Sequence, residues 1–246
     1  MLSDLGFLVV ATVAAVVAGG IASLSGFGIG SILTPLLSLR VATKLAVATV
    51  SIPHLVATAL RLYLLRKHVD RKILLNFGLM SAAGGLTGAL LQVYALSPLL
   101  TGVFACLLIF TGVMGVTGLA ERLRFSGWMA WAAGFISGLL GGLVGNQGGI
   151  RSGAMLGFDV PRHAFVATAT AVGVIVDAAR MPVYLFNQGS EMLAQWPVLL
   201  ATTAGVIAGT LAGERVLKRI PERTYRRLVA GLVLALGVFM LLRIDQ

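Results

Sequence analysis

One cysteine, Cys106, stands in 246 residues, so neither an intrachain disulfide nor a cysteine-based metal site can form. Charge is almost as scarce: Asp, Glu, Lys and Arg make up 11% of the chain, where a soluble domain carries about a quarter. Acidic residues number only 9, too few within the apolar runs for a paired acid–base site. No G-x-x-x-x-G-K-[ST] is present and the glycine runs follow no strand pattern, so nucleotide binding has no support. His54, His68 and His163 are scattered, with no carboxylate at metal-ligand spacing. Neither a cofactor nor a metal is called for, and a membrane hydrolase is disfavoured.

What remains is apolar. Hydrophobic residues form 58% of the chain, and the mean hydropathy is +0.95. Leu5–Leu24, Leu45–Leu65, Ile73–Tyr94, Leu99–Leu119 and Leu228–Leu242 carry few or no charges. A helix needs about 20 residues to cross the hydrocarbon core, and most of these runs reach that length. The expected fold class is all-α, a polytopic membrane helix bundle. No Lys or Arg precedes the first apolar run, so that segment is expected to be retained rather than cleaved as a signal peptide. The net charge of +10 reads as positive-inside loops, and no nucleic-acid partner is expected.

Sliding the chain against itself by 119 residues brings Gly19, Leu24, Gly26 and Gly30 onto Gly138, Leu143, Gly145 and Gly149. Leu37, Val41, Val47, Ala48, Thr49, Ala59 and Arg61 fall on Leu156, Val160, Val166, Ala167, Thr168, Ala178 and Arg180. Chance explains matched Leu, Val and Ala in so apolar a chain; the glycines and the arginine pair are harder to dismiss. The chain reads as two related halves, 1–120 and 121–246, joined by Glu121-Arg122-Leu123-Arg124 and forming one integrated membrane domain. Each half has a glycine-broken opening segment, 4–39 or 127–160, followed by three spans, for about eight to ten membrane segments in all.

Loop charge tests the orientation of the halves. If each opening segment enters and returns, the clusters Arg66–Lys72, Arg122/Arg124 and Arg215–Arg227 share one face, leaving Arg40, Lys44 and Arg243 on the other. The halves are then inverted repeats, a recurring transporter plan with its site at the repeat interface near mid-membrane. Small-xxx-small spacings, including Gly84/Gly88 and Gly205/Gly209/Gly213, suit close helix approach. Trp128, Trp131, Tyr94, Trp196 and Tyr225 fall near expected span ends.

The candidate chemistry lies in the breaks. The first, GGIASLSGFGIGSILTP, offers Gly26, Gly28 and Gly30; the second, GLVGNQGGIRSGAML, offers Gly145, Gly148 and Gly149. Glycine lets the backbone leave the helix, and the start of the next helical piece then presents free N–H groups that suit an anion. Asn146, Gln147 and Arg151 extend that donor set, with Ser25, Thr49 and Thr168 as further hydroxyls. An Arg at the bilayer centre costs about 2.5–3.5 kcal/mol on insertion scales, tolerable where it meets an anion or a wet cavity; the competing reading is snorkelling. Arg61 and Arg180 are further anion contacts on this reading, with Asp177 and His54 as groups for proton coupling. The plainer alternative is an Asp177–Arg180 pair three residues apart on one helix.

The paired patterns, GGIASLSGFGIGSILTPLL with KLAVATVS and GFISGLLGGLVGNQGGIRSGAML with AFVATATAV, resemble the TauE/SafE family of sulfite exporters, within the four-span-unit transmembrane permeases. The first turn departs from the family's triple glycine, reading Gly28-Ile29-Gly30-Ser31, and Asn146 and Gln147 replace two glycines of the second. The resemblance implies a secondary transporter, and an exporter, of a small anion such as sulfite or an organosulfonate across the plasma membrane of a bacterium, with proton coupling and a homodimer as further options. The competing classes are an anion-selective channel on the same turns and a non-transporting scaffold whose glycines serve packing alone.

Overall fold

The computed structural model describes residues 4–119, 127–146, 148–155, 158, 160–217, 222–242 and 244, and says nothing of the side chains at 149, 152, 153, 162, 214–217 and 222–226. The elements are α1 (Asp4–Ser25), α2 (Ile29–Leu37), α3 (Thr43–Leu65), the single turn α4 (Arg71–Ile73), α5 (Leu79–Tyr94), α6 (Ser97–Thr117), α7 (Trp128–Val144), α8 (Gly148–Met155), α9 (Arg162–Ala194), α10 (Trp196–Leu217) and α11 (Glu222–Leu241). A π-helical turn, Leu74–Gly78, joins α4 to α5. The described residues hold no strand.

Six helices are long and apolar enough to cross a membrane, beginning at Asp4, Thr43, Arg71, Ser97, His163 and Trp196. The expected eight to ten segments are therefore reached only by counting shorter pieces. Trp128–Val144 and Arg227–Leu241 are apolar but shorter. α2 and α8, with 9 and 8 residues, extend about 13 Å each at 1.5 Å per residue, so neither can cross. The glycine breaks divide each opening segment into a long arm and a short one.

The first opening segment turns back on itself. Arg40, just beyond α2, donates from Nη1 to Asp4 Oδ1 at 2.7 Å and lies over the Phe7 ring at 4.7 Å. Both ends of the α1–α2 hairpin therefore lie at the same end of the bundle. In the second opening segment, Phe158 meets Phe77 edge to face with centroids 6.1 Å apart, and with Val160 it packs on the buried cluster that includes Ala133 of early α7. The loop glycines do the turning: Gly26 and Gly28 have φ of 79° and 128°, and Gly145 has 74°, values a side chain opposes.

Two seams hold the bundle by backbone approach. Along α5 and α7, a methyl on Gly84, Gly88, Gly138 or Gly142 would strike the carbonyl of Phe135, Leu139, Ser81 or Gly85. Along α1 and α10, Gly19 and Gly209 lie equally close to the carbonyls of Val206 and Val16. In each seam rising numbers meet rising numbers, so the partners run parallel. Each opening helix thus docks on a helix from the other side of the link at 120–126, which lies outside the described residues. With no hydrophobic driving force between helices in lipid, such close packing is what holds them together. α6 and α11 pair antiparallel, Gly112 meeting Leu234 and Gly237 meeting Ile109.

α3 packs on α9 between these seams, and the outer surfaces expose Leu and Val, as a lipid-facing bundle requires. Tyr94, Trp128, Trp131 and Trp196 are all exposed near helix ends; the Tyr225 side chain lies outside the described residues.

Candidate functional site: two crossed helix breaks

The two breaks meet. A Cβ on Gly30 would strike the carbonyl of Gly145, and one on Gly148 would strike Phe27 Cβ. α2 and α8 therefore pass each other at their N-terminal turns. The N-cap of α2 is Gly28, which has no side chain to cap the helix, and the first turn of α2 faces this crossing. Ser25 ties off the end of α1: its Oγ lies 2.9 Å from the Ile21 carbonyl and 2.7 Å from that of Phe27.

Arg151, the fourth residue of α8, reaches across. Its Nη2 donates to the Gly26 carbonyl at 3.0 Å, while its Nε and Nη1 have no partner among the described residues although the residue is only 1% exposed. Space for Nη1 exists because residue 173 is glycine; a Cβ there would sit 3.0 Å away. Asn146 Nδ2 and the hydroxyls of Thr34 and Thr49 are likewise buried without partners. Thr34 Oγ1 is 3.8 Å from where a Gly145 Cβ would lie, which places it beside the second break. A buried donor left unsatisfied costs about 1–3 kcal/mol, more when charged, and native proteins keep few of them. Of the four residues carrying such groups, Thr34, Asn146 and Arg151 gather at the crossing, a concentration of buried donors that suits a small ligand rich in acceptors.

A second polar cluster lies between α3 and α9. Asp177 Oδ2 is 2.6 Å from His54 Nδ1 and accepts from the Thr58 hydroxyl at 3.3 Å. Asp177 Oδ1 accepts from Arg180 Nε and Nη2 at 3.0 and 2.8 Å. Arg180 Nη1 donates to the Gly141 carbonyl, and the Tyr184 hydroxyl donates to that of Gly142. Every guanidinium nitrogen of Arg180 is thus engaged inside the protein, in contrast to Arg151.

Arg61 behaves like Arg180, as their matched sequence places suggest. Its Nη1 donates to the Ala22 carbonyl and its Nε to Thr170 Oγ1 at 2.9 Å. Ala22 and Gly141 are themselves 119 residues apart. Each arginine therefore holds a carbonyl in the last turns of its own half's opening helix, where the helix dipole favours a cation.

The other expected residues scatter. Thr168 Oγ1 accepts from the Asp70 N–H at 2.9 Å, at the start of α4, and Gln147 lies outside the described residues. Gly149 sits within α8. His68 and His163, far apart in sequence, meet edge to face with centroids 5.0 Å apart. The described residues hold no group of three or more His, Cys, Asp or Glu that could bind a metal.

Sequence reasoning missed Thr34, Thr58, Tyr184 and the hydrogen-bonded pair Gln92–Gln188 (3.2 Å). A signal existed for two of these: Arg180, Tyr184 and Gln188 recur every four residues, marking one helix face.

Long apolar helices around paired helix breaks, with buried donors where the breaks cross, define a polytopic membrane protein of the transporter class. Residues 11–240 match the family described as Sulfite exporter TauE/SafE. The chain belongs to that family, whose members are membrane transporters of the sulfite or anion kind and not enzymes. No curated protein and no solved structure gives a match.

Proposed function

We propose that this protein is a secondary transporter that exports a small anion such as sulfite or an organosulfonate across the bacterial inner membrane. The carrying observation is Arg151, a cation buried at the crossing of the two breaks with two donor nitrogens that have no partner among the described residues. The anion sits between the first turns of α2 and α8, accepting from Arg151, Asn146 and the backbone N–H groups, with Gln147, Thr49 and Ser25 nearby on the sequence reading. Arg61 and Arg180 fix the ends of α1 and α7 beside it.

The two halves, 1–120 and 121–246, act as inverted repeats that rock about this crossing. Support comes from the parallel docking of α1 on α10 and of α7 on α5, and from the matched Arg61–Ala22 and Arg180–Gly141 bonds. Coupling to protons runs through His54 and Asp177, which share a 2.6 Å hydrogen bond inside the bundle.

The test is sulfite efflux from loaded proteoliposomes with and without an imposed pH gradient. Arg151→Ala abolishes efflux while the protein stays folded; full transport by that variant overturns the site. Asp177→Asn removes the dependence on the gradient, and an unchanged dependence returns Asp177 to a structural pair with Arg180. Single-channel currents would favour a channel over a carrier.

A further inference from the structure

Away from the crossing lies a cleft of about 270 Å³, lined by Lys44, Ser97, Asn187, Gln188 and Glu191 with Ala42, Leu45 and Val93. It lies where α3 begins and α9 nears its end. We propose that this cleft is the mouth of the anion path on the face away from the basic loops, and that one buried polar face of α9 leads from it to Arg151. This inference rests on the transport reading above.

The stripe is continuous. Gln188, Tyr184, Arg180, Asp177 and Gly173 follow one another at spacings of four, four, three and four, which puts them on one helix face. The four side chains are all buried, and the glycine faces Arg151 Nη1. At the outer end Gln188 lines the cleft while its Nε2 donates to Gln92 Oε1 at 3.2 Å. Gln92 Nε2 in turn donates to the Leu143 carbonyl at 3.2 Å, two residues before the break at Gly145. The paired amides therefore form a floor between the cleft and the second break. An amide pair suits a gate, because each N–H can leave its neutral partner for a passing anion at little net change in hydrogen bonding.

The matched face of α3 does not continue in the same way. Where α9 has Tyr184 and Gln188, α3 ends in Leu65 and the chain continues to Val69. The buried polar stripe of α9 therefore runs from Arg151 toward the end where α3 begins. That end carries Arg40 and Lys44, while the exposed Arg66, Lys67, Arg71 and Lys72 lie at the other, so positive-inside counting faces the cleft away from the cytoplasm.

The test uses a Cys106→Ser background, which removes the only native thiol. Asn187→Cys places a thiol in the cleft; Phe186→Cys, at a 91% exposed neighbour outside it, is the control. Each is labelled with a membrane-impermeant disulfonate maleimide, freed of reagent (sulfite consumes maleimide) and reconstituted for sulfite efflux. A doubly anionic adduct in a narrow anion path lowers efflux by about tenfold or more at Asn187→Cys and leaves Phe186→Cys unchanged. Equal efflux by the two labelled proteins overturns the mouth while the transport reading stands. No efflux from either unlabelled variant or from the unmutated protein overturns both. In intact cells the reagent labels Asn187→Cys and not Lys67→Cys; the reverse pattern overturns the assigned face. Gln188→Leu slows efflux several-fold with the melting temperature kept, and unchanged efflux removes the amide floor from the path.

Discussion

The two helix breaks share a backbone and differ in chemistry. Gly26, Gly28 and Gly145 all turn the chain at positive φ, and a matched arginine holds a carbonyl near each helix end. Yet the first break carries Phe27 and Ile32 where the second carries Asn146 and Arg151. The same contrast runs along the central helices: Thr58, Leu65 and Val69 on one side stand for Asp177, Tyr184 and Gln188 on the other. A repeat needs both copies of its glycines and clamps to build the crossing, because backbone contact is mutual. It needs only one copy of the charged groups, because a second buried set would add desolvation without a ligand to offset it.

That contrast can be broken at matched positions. The largest effect is expected at Arg151 against Ile32. Losing charged hydrogen bonds worth about 1.5–3 kcal/mol each cuts anion efflux by about a hundredfold or more in Arg151→Ala, while Ile32→Ala keeps most of it; comparable loss in both variants would mean that packing, not charge, is being read. Next come Asp177 and Thr58. Asp177→Ala leaves Arg180 and His54 buried without their carboxylate and destabilises by about 3–5 kcal/mol, against about 1 kcal/mol for Thr58→Ala, measured by thermal unfolding in detergent.

The seams should show no such asymmetry. Gly138→Ala and Gly209→Ala each drive a methyl into a backbone carbonyl and cost about 1–3 kcal/mol, whereas Gly231→Ala, with nothing near its side-chain position, stabilises by roughly 0.5–1 kcal/mol. A seam that tolerates the methyl would single out the half that is free to move. The smallest effect belongs to Tyr184→Phe, which frees the Gly142 carbonyl at about 1 kcal/mol and leaves the fold intact.

Much of this architecture was legible in the order of residues. Apolar runs of about 20 residues marked the spans, and glycines at repeated spacing marked both breaks, because few other residues tolerate those backbone angles. Arg61 and Arg180 were found as a pair, but their partners were not: Ala22 and Gly141 contribute only carbonyls, which no side-chain pattern announces. Asn146 and Arg151 were read as donors from their apolar surroundings, whereas Gln92 and Gln188 became visible as a unit only once α5 and α9 were side by side. His68 and His163 read as scattered and proved to be in contact.

The sequence by itself determined that this chain lives in a bilayer as helices, that its opening segments break, and which residues bring charge inside. Those are local matters of hydropathy and backbone freedom. Only the tertiary structure decided which arginine keeps donors to spare. Arg151, Arg61 and Arg180 are equivalent as letters; what separates them is whether a carbonyl or carboxylate from a distant helix arrives to satisfy the guanidinium, and for Arg151, among the described residues, only the Gly26 carbonyl does.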